Sequence, residues 1–260
     1  MMIVSPNDLG FNEPIQGIIL GAHGGVGEAL AHHILAQAKP NRLVLTYRSQ
    51  AIEAFVDHPS VHQYKLDITN ESAWQSFTQA LAINQQKFNL VFNATGLLSR
   101  TGNAQNSKVQ PERALRDLSF EQMTEVFAVN TFGLGLALKY LCPLLNRRER
   151  SIFASLSAKV GSIADNRIGG WYSYRASKAA QNMLLKTAAI ELARSHKNCI
   201  CVGLHPGTVY SDLSAPFTAR VKHTIFTSNE SAQHLTKVLQ KLNSEDSGHL
   251  YSWDGSQIPF

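Results

Sequence analysis

The sequence has 260 residues, of which 44% are hydrophobic and 17% charged, a mixture typical of a globular chain with a sizeable core. No apolar run approaches 18 residues and the first residues lack a signal-peptide pattern, so spanning of a membrane and secretion are both disfavoured. The net charge of +5 comes from scattered basic residues, apart from Arg147, Arg148 and Arg150 in an expected loop, so charge does not favour a nucleic-acid partner.

The three cysteines, Cys142, Cys199 and Cys201, fit no metal-ligand spacing, and no metal site is predicted. An odd number of cysteines without a signal peptide is typical of a reducing compartment. We therefore expect a cytoplasmic protein.

Short apolar segments alternate with segments of helical periodicity along the chain. Strands are predicted at 17–20, 42–47, 61–69, 88–96, 151–157, 199–207 and 249–255. Helices are predicted from about Val26 to Ala38, around 74–81, from 123 to 140, from 173 to 194 and from a cap at Asn229 to 242. Continuously apolar strands that alternate with helices predict an α/β class protein, a doubly wound, seven-stranded parallel sheet with helices on both faces.

No linker or repeat divides the chain after the first 14 residues. The sequence predicts an N-terminal extension at 1–14 and a single Rossmann domain at 15–260. Ligands of such folds bind at the carboxyl ends of the strands, where the strand order reverses.

The sequence GAHGGVG follows the first predicted strand and leads into a helix. Gly21, Gly25 and Gly27 permit a tight turn, close approach of a pyrophosphate and close packing of the helix on the strand. The helix N-terminus, which begins near Val26, supplies N–H groups to the phosphates. A dinucleotide site is predicted here.

The second strand ends with Thr46-Tyr47-Arg48, and the next acidic residue is Glu53. A carboxylate at this position usually binds the ribose hydroxyls of NAD, whereas a guanidinium suits the 2′-phosphate of NADP. The pattern favours NADP(H) over NAD(H), with Arg48 as the phosphate ligand. His23 could assist by hydrogen bonding, or could be a solvent-exposed loop residue.

Two further strand ends are predicted to contact the cofactor. Asp67, followed by Ile68, could accept a hydrogen bond from the adenine amino group, although a turn or capping role explains an aspartate there equally well. Asn93, Ala94 and Gly96 belong to a small-residue segment, NATG, against which a flat ligand could lie.

Tyr174 and Lys178 stand four positions apart in a predicted helix, which places both side chains on one face. A neighbouring ammonium favours the phenolate and is expected to lower the pKa of the tyrosine. Acid/base work at neutral pH would need a shift of about 3 units, and the positive charge of an oxidised nicotinamide could add to the effect of the lysine.

These segments occur in a characteristic order: GAHGGVG, LDIT, NATG, FAVN ending at Asn130, Ser157, Tyr174-x-x-x-Lys178 and HPGTV from His205. Together they resemble the short-chain dehydrogenase/reductase family over about Ile18 to Gly255. The phrases SAKVGSIADNRIGGWYSYRASKAA and SGHLYSWDGSQIP are similar to the C-factor and sniffer-type carbonyl reductases of that family.

The resemblance implies catalytic roles. Tyr174 matches the acid that protonates the carbonyl oxygen, and Lys178 matches the lysine that binds the nicotinamide ribose. Ser157 matches the serine that hydrogen-bonds the substrate oxygen, but its distance of 17 positions from Tyr174 is longer than usual, so Ser155 stays an alternative. Asn130 matches the asparagine of the proton relay.

The segment after the sixth strand matches the loop beside the nicotinamide amide, with Pro206, Gly207, Val209 and Ser211 as cofactor-binding residues. One departure concerns Leu20, where the family commonly has Thr or Ser. This leucine leaves a hydrogen bond of the glycine turn without its usual partner.

The implied function is an NADP(H)-dependent oxidoreductase that interconverts a carbonyl and an alcohol. The alternative is an NADP-binding regulatory or signalling protein of the C-factor type with little turnover. The expected partner is a small-molecule carbonyl or alcohol, without nucleic acid or membrane, and the resemblance implies a homodimer or homotetramer. Residues 97–117 and 208–228 are expected to determine the substrate.

Overall fold

The computed structural model describes residues 9–38, 40–82, 87–102, 108–210 and 224–260. Ser211, most of the second predicted specificity segment and part of the first lie outside the described residues.

A single large sheet forms the centre of the molecule. Its strands are β1 (Gln16–Leu20), β2 (Arg42–Tyr47), β3 (Val61–Lys65), β4 (Leu90–Asn93), β5 (Ser151–Leu156) and β6 (Cys199–His205), followed by β9 (Leu250–Ser252) and β10 (Gln257–Ile258). Their order is β10-β9-β6-β5-β4-β1-β2-β3, and all neighbours pair in parallel except β10 with β9. In the sequence between β6 and β9, the strands β7 (Thr208–Val209) and β8 (Ile225–Phe226) form a separate short parallel pair.

Helices cover both faces of the sheet. They are α1 (Gly25–Ala38), α2 (Glu71–Ala82), α3 (Phe120–Phe127), α4 (Gly133–Leu141), α5 (Tyr172–Ser195) and α6 (Ser228–Lys241). Apolar residues of α1 and α6 form one core cluster with the sheet, and those of α2, α4 and α5 form a second. The strands are buried on both faces because helices cover both, which explains why they are apolar almost throughout.

The predicted α/β class and double winding are confirmed, and within the described ranges the sheet has one strand more than expected. The chain turns back after β9 and adds the two-residue antiparallel strand β10 at the edge. The predicted cap of the last helix is wrong by two positions. Thr227, not Asn229, caps α6, because its hydroxyl accepts from the Glu230 N–H while the Glu230 carboxylate accepts from the Thr227 N–H.

The end of the predicted N-terminal extension packs on the core. Leu9 and Phe11 are 1% and 2% exposed, although residues 9–15 contain no regular strand or helix. The Arg150 guanidinium donates to the carbonyl oxygen of Leu9 at 3.3 Å and to those of Leu242 and Leu239 at 2.8 and 2.7 Å. Arg150 therefore joins this segment to the end of α6 instead of forming a surface basic cluster.

Among the described residues, one helical stretch, Phe120–Leu144, is long and apolar enough by length and composition to cross a membrane, and an 18-residue window within it has a mean hydropathy of 1.3. Buried helices of globular cores share this composition, and 44% of that window is buried. Within it, α4 packs against α2 and α5.

The strand order reverses between β1 and β4. The carboxyl ends of the parallel strands meet above this point, so the loops that follow β1, β2, β4, β5 and β6 surround one opening.

Candidate active site

A cleft of about 1380 Å³ lies at the carboxyl ends of the strands. It exceeds the roughly 300–1,000 Å³ of typical small-molecule sites, as a dinucleotide plus a substrate would require. The predicted site residues that line it are Gly21, His23, Gly25, Val26, Arg48, Asp67, Ile68, Ala94, Gly96, Ser157, Tyr174, Lys178, Pro206, Gly207 and Val209. Gly27, Asn93 and Asn130 do not line the cleft.

The glycine loop has the geometry that a pyrophosphate site needs. Gly21 has φ +70°, a backbone conformation that favours glycine. A Cβ at Gly27 would lie 2.5 Å from the Gly21 carbonyl oxygen, so only glycine allows α1 to approach β1 this closely. A Cβ at Gly25 would meet no described atom within 4 Å, which leaves open space beside the N-terminus of α1. The residues present therefore fit a bound pyrophosphate.

The hydrogen bond that Leu20 cannot make is supplied from the neighbouring strand. The Thr46 hydroxyl accepts from the Gly21 N–H at 3.1 Å, and the Thr46 carbonyl accepts from the Ala22 N–H at 3.0 Å. Thr46 is 1% exposed and belongs to β2, which pairs with β1. A residue of the adjacent strand thus holds the turn in place of the expected residue at position 20.

Arg48 and Asp67, which follow β2 and β3, bring opposite charges to the cleft. Arg48 follows β2 immediately and is exposed at the cleft, as is His23 in the glycine loop. Asp67 has the turn role, since its Oδ1 accepts from the Thr69 N–H at 2.9 Å and the Thr69 hydroxyl at 2.7 Å. Because Asp67 also lines the cleft, this turn orients a carboxylate at the opening.

Tyr174 and Lys178 lie on one face of α5, as their spacing predicts. The Lys178 ammonium is 5.8 Å from the centre of the Tyr174 ring. Burial raises the pKa of the Tyr174 phenol and lowers the pKa of Lys178 to about 7. The expected lowering of the tyrosine pKa is therefore wrong for the protein alone, because burial removes the phenol from water and disfavours the charged phenolate. Burial thus favours the neutral phenol.

Lys178 is held in place by a network of hydrogen bonds among buried polar groups. Its ammonium donates to the Leu156 carbonyl at 2.9 Å and to the Gln181 side-chain oxygen at 2.8 Å. The Gln181 amide donates in turn to the Leu156 carbonyl at 2.9 Å and to the Ser155 hydroxyl at 3.1 Å. Asn93 completes the network, since its amide also donates to the Ser155 hydroxyl, at 2.9 Å.

The two candidate serines differ in their relation to this hydrogen-bond network. Ser155 is 0% exposed and lies beneath the cleft, whereas Ser157 lines it. The Ser157 hydroxyl is 2.6 Å from the side-chain oxygen of Asn182, on the same helix as Tyr174. The geometry favours Ser157 over Ser155 as the group that faces a ligand.

Asn130 lies behind the cleft in a π-helical turn, Ala128–Phe132, between α3 and α4. Its side-chain oxygen accepts from the Leu97 N–H at 2.7 Å, and its amide donates to the Leu97 carbonyl at 2.9 Å and the Ser177 hydroxyl at 3.0 Å. Asn130 thereby joins the segment after β4 to α5. The π turn widens the helix at this residue, as such turns often do at functional sites.

The buried lysine predicts a pH-dependent stability of the protein alone. The Lys178 pKa is about 7 in the folded state against an ordinary 10.5, so the unfolded state binds more protons between these values. The free energy of unfolding should therefore rise with pH in this window, by up to about 1.4 kcal/mol per pH unit. Urea denaturation of the wild type and Lys178→Met between pH 7 and pH 9 measures the effect. The difference between the two proteins should change with pH, and parallel curves would contradict it.

A buried carboxylate positions the segment before α5. Glu112 is 1% exposed and accepts from the Ser173 hydroxyl, from the Ser173 N–H at 3.1 Å and from the Gln122 amide at 2.9 Å. Burial opposes its ionisation, but these hydrogen bonds lower the pKa of Glu112 overall. The Glu112 carbonyl accepts from the Trp171 N–H at 2.6 Å, which holds Trp171 at φ +54°.

Trp171 lines the cleft, and its ring lies edge-on to Tyr174 with centroids 6.2 Å apart. The Arg175 guanidinium donates to the carbonyls of Gly170, Gly169 and Val160 at 2.9, 3.1 and 3.3 Å. The turn that precedes Tyr174 is thus held by two sets of hydrogen bonds, one from the Trp171 N–H to Glu112 and one from the Arg175 guanidinium.

A model of the short chain dehydrogenase family matches residues 17–222, which include the glycine loop, Ser157, Tyr174 and Lys178. The chain belongs to the short-chain dehydrogenase family. The resemblance seen in the sequence is thereby confirmed, and the fold agrees with it.

This short-chain dehydrogenase is similar to C-signal of Myxococcus xanthus, with 29% identity over 147 residues, or 56% of this chain and 84% of the relative. Among solved structures it is similar to an NADPH-bound carbonyl reductase from chicken fatty liver, with a TM-score of 0.82, 24% identity and 95% of each chain covered. It is also similar to the carbonyl reductase Sniffer of Drosophila melanogaster, with a TM-score of 0.82, 21% identity, and coverage of 95% of this chain and 100% of the other.

Sequence reasoning missed four polar residues that support the site of this short-chain dehydrogenase: Thr46, Glu112, Gln181 and Asn182. Gln181 and Asn182 follow Lys178 in α5 by three and four positions, a helical spacing that could have been noticed. Glu112 and Thr46 are distant in sequence from their partners and carry no local signal.

Proposed function

We propose that this chain is an NADP(H)-dependent oxidoreductase that interconverts a carbonyl and an alcohol. The observation that carries the proposal is the convergence of Ser157, Tyr174 and Lys178 on one cleft, which extends to the glycine loop and Arg48. A hydroxyl, a phenol and an ammonium beside a dinucleotide site supply what carbonyl reduction needs from a protein.

The residues would hold the cofactor at both ends. Gly21, Gly25 and the N-terminus of α1 would hold the pyrophosphate, and Lys178 and Gly207 would border the nicotinamide half. When bound, NADPH supplies hydride to the carbonyl carbon. Tyr174 donates its proton to the carbonyl oxygen. Burial raises the pKa of the phenol, which keeps it protonated at neutral pH but also makes it a weaker acid, so the proton is transferred only as negative charge develops on the carbonyl oxygen.

Ser157 and Lys178 assist Tyr174 in different ways. The Ser157 hydroxyl stabilises the developing charge on the substrate oxygen. Lys178, placed 5.8 Å from the tyrosine ring centre, favours the phenolate that remains after proton transfer. Its anchors on Leu156 and Gln181 keep the ammonium in this position.

Arg48 should determine the choice of cofactor. It is the cationic residue directly after β2, where a carboxylate would select NAD, and NADPH is the cofactor bound in the similar chicken reductase. Arg48→Leu should lower kcat/KM for NADPH by roughly 10–100-fold, the worth of a charge-assisted contact to phosphate. The value for NADH should change little. Steady-state kinetics with both cofactors measure this, and a wild type that prefers NADH would contradict the proposal for Arg48.

The function is tested by following NADPH oxidation with a panel of aldehydes, ketones and quinones, with NADH as the control cofactor. Turnover of at least one carbonyl class with NADPH supports the proposal. Tight NADPH binding without turnover of any carbonyl, or of the corresponding alcohols with NADP⁺, would refute it.

The second candidate is an NADP-binding regulatory protein with little turnover, which the similarity to C-signal favours. Binding alone does not require a phenol, a hydroxyl and an ammonium at the same end of the cleft, so the site geometry favours the enzyme. A cellular effect that survives Tyr174→Phe would support the regulatory reading.

The proposal includes a cytoplasmic location, a small-molecule substrate and no nucleic acid or membrane partner. The three cysteines are buried and unpaired, as expected of a reducing compartment. We also propose a homodimer or homotetramer, because Met183 and Ile190, on one face of α5, are 66% and 54% exposed. Light scattering of the purified protein would measure the assembly.

A further inference from the structure

The Ser157 hydroxyl directs its only proton away from the cleft. It donates to the side-chain oxygen of Asn182 at 2.6 Å, and the two residues are 4% and 3% exposed. A hydroxyl has one hydrogen to donate. In this arrangement Ser157 could accept a hydrogen bond from a ligand but could not donate one to a substrate oxygen.

The amide nitrogen of Asn182 is the unsatisfied end of the pair. It is buried and has no hydrogen-bond partner among the described residues, whereas the side-chain oxygen is satisfied. Buried N–H groups without a partner are rarer in proteins than buried carbonyl groups with unused lone pairs. In this orientation the amide leaves its N–H donors, the less readily tolerated group, without a bond.

A half-turn of the amide about its last side-chain bond exchanges oxygen and nitrogen within the same volume. The nitrogen then donates to the Ser157 oxygen, and the serine proton becomes free. Because Ser157 and Tyr174 line the same cleft, that proton is then available to a carbonyl oxygen bound there.

We propose that Asn182 is a positioning residue that donates to the Ser157 oxygen and so directs the serine proton to the substrate. This inference rests on the proposed carbonyl chemistry. It also explains the arrangement of α5, since Tyr174, Lys178 and Asn182 follow one another at intervals of four residues along one face. A single helix face thus carries the proton donor, the ammonium and the amide that orients the serine.

Asn182→Asp tests the orientation, because an ionised carboxylate accepts but cannot donate. As the introduced carboxyl ionises with rising pH, it should capture the serine proton. The ratio of variant to wild-type kcat should then fall with pH toward the value for Ser157→Ala, a loss of about 10²–10³-fold. KM for NADPH should not change. A ratio that stays near one at every pH would overturn the proposal, since the asparagine would then act as an acceptor.

The Ser157→Ala background is the matched control. Adding Asn182→Asp to Ser157→Ala should cause no further loss of kcat, because the effect acts through the serine. A further loss of the same size as in the wild-type background would show that Asn182 acts by another route and would overturn the proposal.

A measurement without turnover separates this inference from the proposed function. In protein labelled with ¹⁵N-asparagine, Asn182→Ser identifies the side-chain amide signal of residue 182. Ser157→Ala should shift that signal and speed its hydrogen exchange, because the amide loses its acceptor. An unchanged signal would overturn the proposal. This readout holds even if no carbonyl is reduced, an outcome that would refute only the proposed function.

Discussion

Tyr174→Phe is expected to lower kcat for carbonyl reduction by about 10²–10⁴-fold, the usual contribution of a positioned proton donor. The change removes one oxygen and keeps the ring that packs edge-on against Trp171 at 6.2 Å and lies 5.8 Å from the Lys178 ammonium. NADPH affinity should therefore be retained. Steady-state kinetics with a substrate found in the carbonyl panel, together with fluorescence titration of NADPH, measure both quantities.

Tyr172→Phe is the matched control for this prediction. Tyr172 begins α5 two positions earlier and does not belong to the residues that line the cleft. The control should keep wild-type kcat. If Tyr174→Phe retained kcat within about tenfold of the wild type, Tyr174 would not be the proton donor.

Ser157→Ala and Ser155→Ala should separate catalysis from structural support. Ser157→Ala removes the hydroxyl that lines the cleft and should lower kcat by about 10²–10³-fold, as for the loss of one oxyanion donor. Ser155→Ala leaves the amides of Asn93 and Gln181 without their shared acceptor beneath the cleft. It should cost about 1–3 kcal/mol of stability.

The comparison needs kcat and the midpoint of urea denaturation for both variants. Ser155→Ala should show the larger loss of stability and Ser157→Ala the larger loss of kcat. The reverse pattern would make Ser155 the group that acts on the substrate and would contradict the assignment drawn from the cleft.

The order of secondary structure could be predicted closely because it depends on local patterns. The bounds predicted for β2 agree with the structure, and α5 differs from its prediction by one residue at each end. The additional strand β10 was missed because two residues are too few to show a period. Thr227 was missed as a cap because its reciprocal bonds with Glu230 are visible only once the helix start is known.

The two serines show where local patterns stop being sufficient. Ser155 and Ser157 are two positions apart, so strand alternation alone would place them on the same face. β5 ends at Leu156, and Ser157 follows it into the loop at the cleft. The end of a strand is set by its neighbours in the sheet, which the sequence of β5 does not contain.

The sequence alone determined the alternation of apolar strands and helices, the glycine turn and the placement of Tyr174 and Lys178 on one face, because each depends on residues a few positions apart. Only the tertiary structure decided that burial raises the pKa of Tyr174 and lowers that of Lys178. It also decided that Thr46 completes the glycine turn and that Glu112 holds the segment before α5. These contacts join residues from 25 to 61 positions apart, and desolvation depends on everything packed around a group, so neither follows from local sequence.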